Sequence, residues 1–144
     1  MILKRVEKDG VIKAIYDSSN ILASEYNKTN KDLVITFKRG VQYKYLGVSS
    51  SDYMRFEIAD SQGVVLNSNI KQYQFEKGGS VDANLITEEI NKLKQEEIIK
   101  RQESIINEME RIVSDFDQSQ TFNEQRLMGL VNKITNYFNP GIEA

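Results

Sequence analysis

The run Asp32-Leu-Val-Ile-Thr-Phe-Lys38, Arg39-Gly40, Val41-Gln-Tyr-Lys-Tyr-Leu46 alternates on both sides of a turn. Leu33, Ile35 and Phe37 fall on one face and Val34 and Thr36 on the other, the period of two expected of a half-buried strand. Val41, Tyr43 and Tyr45 then alternate against Gln42, Lys44 and Leu46. Gly40 suits the positive φ of a tight turn. Two such strands predict an antiparallel meander with one aromatic face. Upstream, Val11-Ile-Lys-Ala-Ile-Tyr16 and Ile21-Leu-Ala-Ser-Glu-Tyr26 are rich in β-branched and aromatic residues. The polar runs Asp17-Ser-Ser-Asn20 and Asn27-Lys-Thr-Asn-Lys31 separate them as turns.

Downstream, a short helix is expected. Ser49-Ser-Ser-Asp52 offers N-caps, and Tyr53, Phe56 and Ala59/Asp60 fall at helical spacing. Ser61-Gln-Gly63 is expected to stop it, with Gly63 as the C-terminal cap. Gly78-Gly-Ser80 reads as a hinge. From about Asn84 to Phe116 there is neither Gly nor Pro, and Ile86, Ile90 and Leu93 keep a helical stripe. The stripe resumes, after a five-residue step, in Ile98, Ile105, Met109, Ile112 and Phe116, a shift of the stutter kind. A second helix is expected after Thr121, with Glu124 at the capping-box position, a stripe of Leu127, Leu130/Val131, Ile134 and Tyr137/Phe138, and a stop at Asn139-Pro-Gly141. The fold class is therefore α+β: an N-terminal antiparallel sheet with one short packed helix, followed by a C-terminal two-helix hairpin. The expected domains are a sheet domain over 1–78 and a helical extension over 82–140 that mediates oligomerisation.

Composition narrows the chemistry. The 144 residues contain no Cys and no His. That removes disulfides, thiolate and imidazole metal sites, and the usual nucleophile–base pairs. There is no apolar run of membrane-spanning length, and the start, Met-Ile-Leu-Lys-Arg-Val-Glu-Lys, lacks a secretory apolar stretch. Residues 1–80 hold twelve Lys/Arg against nine Asp/Glu, and residues 81–144 hold seven against twelve. A mildly basic front thus meets an acidic back, either within one copy or between copies. The expectation is a soluble, cytoplasmic, non-enzymatic protein with no catalytic residues, no metal and no cofactor. The carboxylate pairs Glu88-Glu89 and Glu96-Glu97 alternate with lysines on helical faces and read as solvated charge.

The chain from Ile15 to Tyr73 resembles the KTSC domain. The residues that carry the likeness are Ser18-Ser-Asn-Ile21, Tyr26, Leu33-x-Ile35-x-Phe37, Gly40, Tyr43-Lys-Tyr45, Val48, Tyr53, Ala59-Asp-Ser-Gln-Gly63, Asn69-Ile70 and Tyr73. Ser49 stands where the family often has proline. The resemblance implies an antiparallel sheet with a packed helix and, loosely, a role in RNA binding. A sheet of this kind followed by two helices is also similar in layout to phage Thoeris anti-defence proteins of the sponge type. That likeness implies sequestration, without cleavage, of immune signalling nucleotides such as cyclic ADP-ribose isomers. It further implies cyclic oligonucleotides at a second site, and a homo-oligomer that is a hexamer.

Such a ligand offers phosphates to cations and backbone N–H groups, and bases to aromatic faces and amides. Arg126, Phe122, Asn123 and Phe116 cluster around the expected interhelical loop and form the first candidate site, with Asn91 and Phe75 as further contacts. Arg55, Ser61 and Gly63 form the second. Tyr43 and Tyr45 serve either as a base platform beside Lys38, Arg39 and Lys44 or as core. The alternative function is an RNA or single-stranded nucleic-acid-binding module.

Overall fold

The computed structural model describes residues 1–119 and 124–139. Six strands form one antiparallel meander in chain order: β1 (Ile2–Lys8), β2 (Val11–Tyr16), β3 (Ile21–Asn27), β4 (Leu33–Phe37), β5 (Val41–Tyr45) and β6 (Phe75–Ser80). The four central strands lie where alternation (β4, β5) and β-branched and aromatic content (β2, β3) predict them. β1 was not anticipated, because Lys4, Arg5, Glu7 and Lys8 interrupt its apolar pattern. Those charges suit an edge strand, where they discourage pairing with other chains.

The sequence between β5 and β6 forms α1 (Ser50–Glu57), α2 (Gln62–Val65) and a wider π-type turn at Leu66–Ile70. Ser49 caps α1 as expected, its hydroxyl accepting the Asp52 N–H at 3.1 Å. Gly63 does not end this helix. Ile58 does, and Gly63 lies inside α2. Buried Gln62 explains the break and restart, since its amide donates to the Ala59 carbonyl at 2.7 Å and takes up a backbone acceptor left by the end of α1.

These helical pieces cover one face of the sheet. Tyr16, Ile21, Tyr26, Leu33, Ile35, Tyr53, Phe56 and Ile70 are essentially sealed from solvent. The Tyr26 and Tyr53 rings stack at 4.2 Å, and Tyr16 meets Phe56 edge-on at 5.5 Å. Their polar tips are paired: Tyr26 donates to the Val48 carbonyl at 2.8 Å, and the Tyr16 and Ser24 hydroxyls lie 2.8 Å apart. Burial without such partners would carry a penalty of roughly 1–3 kcal/mol each.

Gly78-Gly79 is not a hinge. It lies within β6, where the register against β5 shifts between Val41↔Ser80 and Tyr43↔Lys77. A side chain at Gly78 would come within 3.2 Å of the Gln42 carbonyl oxygen, so glycine there lets the strand bulge against its neighbour.

The chain forms two compact units, Met1–Lys94 and Gln95–Ala144. α3 (Ala83–Ser119) begins in the first. There Ile90 is buried, and Glu89 and Lys94 pair with Lys4 (2.6 Å) and Asp17 (2.7 Å). In the second unit α3 and α4 (Glu124–Phe138) run antiparallel, with Gln102 donating to the Tyr137 hydroxyl (2.8 Å) and Lys133 to the Ser104 hydroxyl (3.2 Å). The half-buried positions of α3 here are Ile105, Glu108, Ile112 and Asp115. Met109 and Phe116, expected in the stripe, are about half exposed at 49% and 50%. Charge explains this register, because Asp115 meets Arg126 at 2.5 Å and Glu108 meets Lys133 at 4.0 Å. On α4, Leu130 is buried and Leu127, Ile134 and Tyr137 are half-buried, whereas Val131 and Phe138, the other members of the expected stripe, are 47% and 72% exposed. Thr121 and the Pro140-Gly141 stop lie outside the described residues.

Candidate functional site

Strands β4–β6 and the helical connection between β5 and β6 leave an open groove of about 800 Å³ in the first unit. The alternation of β5 builds its floor. Val41, Tyr43 and Tyr45 share a face, and Tyr45 pairs across the sheet with Phe75. Phe37 meets Tyr43 edge-on at 5.7 Å, Tyr43 meets Phe75 at 5.9 Å, and Phe75 meets Tyr45 at 5.8 Å. Burial falls off along this chain of rings. Tyr45 belongs to the core, and desolvation raises its hydroxyl pKa. Tyr43 is half-buried, and Phe75 is 60% exposed. An aromatic ring that open, backed by two others, offers a flat surface for stacking.

Polar groups ring this floor. Lys38 and Arg39 project from the β4–β5 turn, and Asn20 lies beside it, its carbonyl accepting the Lys38 N–H at 2.9 Å. On the helical side stand Asn67 and Lys71, at the start and end of the π-type turn. The Lys71 N–H donates to the Leu66 carbonyl five residues back, at 2.9 Å, and so closes the turn. Single π turns recur at functional sites because the extra residue re-aims its neighbours. Among the described residues no acidic side chain lines the groove, so its field favours an anion.

Of the residues singled out from sequence, Lys38, Arg39, Tyr43, Tyr45, Gly63 and Phe75 come together in this groove. Of the two tyrosines, Tyr45 is buried in the core, and half-buried Tyr43 packs against it. Lys44 does not join the basic rim. Its ammonium pairs with Asp32 at 2.9 Å, and that bond raises its pKa. Arg55 does not line the groove. It lies 3.8 Å from Asp52, whose carboxyl is held below its ordinary value chiefly by the Tyr73 hydroxyl, which donates to it at 2.5 Å. Ser61 precedes α2 and is exposed.

In the second unit Arg126 is joined to Asp115, next in sequence to half-exposed Phe116. Phe122 and Asn123 lie outside the described residues. Asn91 is exposed on α3 in the first unit. Sequence reasoning missed Asn20, Asn67 and Lys71 as groove residues. Nothing in their local pattern marks them; only the return of the chain from β5 to β6 brings them to the aromatic floor.

A second hollow of about 530 Å³ lies where Ile86 and Glu89 of α3 adjoin Val6, Ile15, Ala23 and Val34 of the sheet. Among the described residues no cluster of carboxylates has the makings of a metal site, and no helix is long and apolar enough to cross a membrane.

The fold and groove thus define an α+β sheet module with an aromatic, basic cleft beside its helical crossover. The sequence profile of the KTSC domain matches residues 17–75, which run from the end of β2 to the first residue of β6. A KTSC domain protein of Yersinia pestis, known from its crystal structure, is 31% identical, with the match covering 48% of this chain and 99% of that one at a TM-score of 0.46. The chain belongs to the KTSC-domain family. No curated protein matches it.

Proposed function

We propose that this protein binds nucleotide ligands and holds them unaltered, in the manner of a sponge for immune signals such as cyclic ADP-ribose isomers or cyclic oligonucleotides. The observation that carries the reading is the groove over Tyr43 and Phe75. It combines exposed aromatic surface with three cations, Lys38, Arg39 and Lys71, two amides, and no lining carboxylate among the described residues. Flat bases and phosphates are the ligand parts that such a wall attracts. The setting in this reading is the cytoplasm of a phage-infected bacterium, where capture alone blunts a signal.

Self-association belongs to the same reading. In the second unit Ile106, Met109, Val113 and Phe116 of α3 and Met128, Val131 and Phe138 of α4 are all about half exposed or more. Apolar surface of this kind on a short hairpin supports contact between copies, up to the hexamer expected from the layout.

Native mass spectrometry before and after incubation with a panel of signalling nucleotides tests both parts. The expected result is a multiple of the chain mass that retains ligand, with the ligand recovered at its original mass after denaturation. A single chain that retains nothing, or a ligand recovered in pieces, overturns the reading. The alternative, a single-stranded RNA-binding module, draws on the same aromatic floor. It requires affinity that falls steeply and log-linearly with salt for strands but not for small nucleotides.

A further inference from the structure

The β4–β5 turn that carries Lys38 and Arg39 is held by both of its legs. On one leg the Lys38 N–H donates to the Asn20 carbonyl at 2.9 Å. On the other the Val81 N–H donates to the Gly40 carbonyl at 2.9 Å, and Val81 leads straight into α3. Asn20 closes a short loop that starts at Asp17. The Ser18 hydroxyl draws this loop tight by accepting the Ile21 N–H at 3.4 Å. Asp17 in turn pairs with Lys94 of α3 at 2.7 Å. These contacts form a closed circuit, from Lys38 to Asn20, from Asp17 to Lys94, and back along α3 to Val81 and Gly40. The helix completes it from the far side of the sheet. Ile86 and Glu89 adjoin Ile15 and Val34, which alternate along their strands with the core residues Ala14, Tyr16, Leu33 and Ile35. Buried Ile90 and the pairing of Glu89 with Lys4 at 2.6 Å seat α3 there.

We infer that the start of α3, from Ala83 to Lys94, is a strap that positions the basic turn of the groove, with Lys94 as its positioning residue. Lys94 does not line the groove and acts through Asp17 and Asn20. The inference rests on the proposal that the groove binds nucleotides, and it adds what sets their affinity. Both partners of the Lys94–Asp17 pair are nearly half exposed, so the pair contributes little to global stability. Its effect is local. It narrows the positions open to the loop, and the loop fixes the leg of the turn that bears Lys38. Cations held in place before a ligand arrives lose less freedom when it binds. Such coupling is reciprocal, so a ligand drawn to Lys38 and Arg39 steadies α3 on the opposite face.

Calorimetric titration of the full chain with cyclic ADP-ribose, together with hydrogen exchange read residue by residue, tests this. Lys94→Ala weakens binding about fivefold. Lys94→Arg keeps the pair, and Lys92→Ala removes the same charge from exposed surface of α3 nearby; both stay within about twofold of the native protein. All three variants melt with the native protein, which shows that they fold. The Lys38 amide exchanges faster in Lys94→Ala, and saturating ligand slows exchange over residues 83–94 of the native protein. Native affinity in Lys94→Ala overturns the inference and leaves nucleotide binding standing. An equal fall in Lys92→Ala assigns the effect to charge alone and overturns it as well. If the native protein takes up no cyclic ADP-ribose, the reading of the groove fails for this ligand and Lys38 exchange decides the strap: faster in Lys94→Ala upholds it, and unchanged overturns it.

Discussion

Gly40 shows how far a single residue can be constrained. Its φ of +81° favours glycine, and a Cβ there would lie 2.1 Å from the Val81 carbonyl oxygen. The Val81 N–H also donates to the Gly40 carbonyl at 2.9 Å, so the turn before β5 is tied to the residue after β6. Backbone cannot yield as a side chain does. Gly40→Ala therefore costs about 3 kcal/mol or more, read as a lowered urea midpoint at unchanged m-value. Asp52 gives a second test at this scale. Its pKa lies below 3.8, chiefly through the Tyr73 hydroxyl. A lowered carboxyl pKa contributes stability that is present above the unfolded value and lost as pH falls through the folded one. Tyr73→Phe should therefore destabilise at neutral pH, and the gap from the native protein should narrow as pH falls below the ordinary carboxylate range. A gap that stays constant across that range would show that Asp52 is not the cause. Gly40 was legible as a turn from its place between two alternating runs. Its approach to Val81, about forty residues on, was not.

At the level of elements, period-two alternation identified β4 and β5, and β-branched and aromatic content identified β2 and β3. Local pattern failed for β1 and β6. The first is charged along the sheet edge, and the second carries two glycines at a bulge. Both are strands because a neighbour completes them, a cause absent from their own residues. The cap of α1 was readable, since the Ser49 side chain satisfies a backbone donor three residues away. Ser49→Ala should cost about 1 kcal/mol in chemical denaturation. Its hydroxyl also faces the Tyr73 hydroxyl at 3.3 Å, so the loss should be smaller in a Tyr73→Phe background. On α3 the apolar spacing suggested a stripe through Met109 and Phe116. The register instead follows the Asp115–Arg126 and Glu108–Lys133 pairs, which hydropathy cannot reveal.

For the molecule as a whole, the paired tyrosines of the sheet unit set a limit at high pH. Burial pushes the Tyr16 hydroxyl up to about 12, and desolvation raises Tyr53 as well. An unfolded tyrosine ionises near about 10, so above that value the unfolded state gains charge that the folded state refuses. Stability should be flat up to about pH 9 and fall between about pH 10 and 12, as followed by circular dichroism. Tyr16→Phe should make that fall shallower even if it lowers the plateau by the loss of the Ser24 partner.

The chain's own order of residues determined the meander, the cap of α1, the two long helices and the family to which the protein belongs, because period, caps and turns act over a few residues. Tertiary structure alone decided that Gly78-Gly79 is a bulged strand, that Tyr45 is core, Tyr43 half-buried against it and Phe75 exposed, and that Lys38, Arg39 and Lys71 rim one groove. Those outcomes depend on residues tens of positions apart meeting across a sheet edge, and such meetings leave no local period to read.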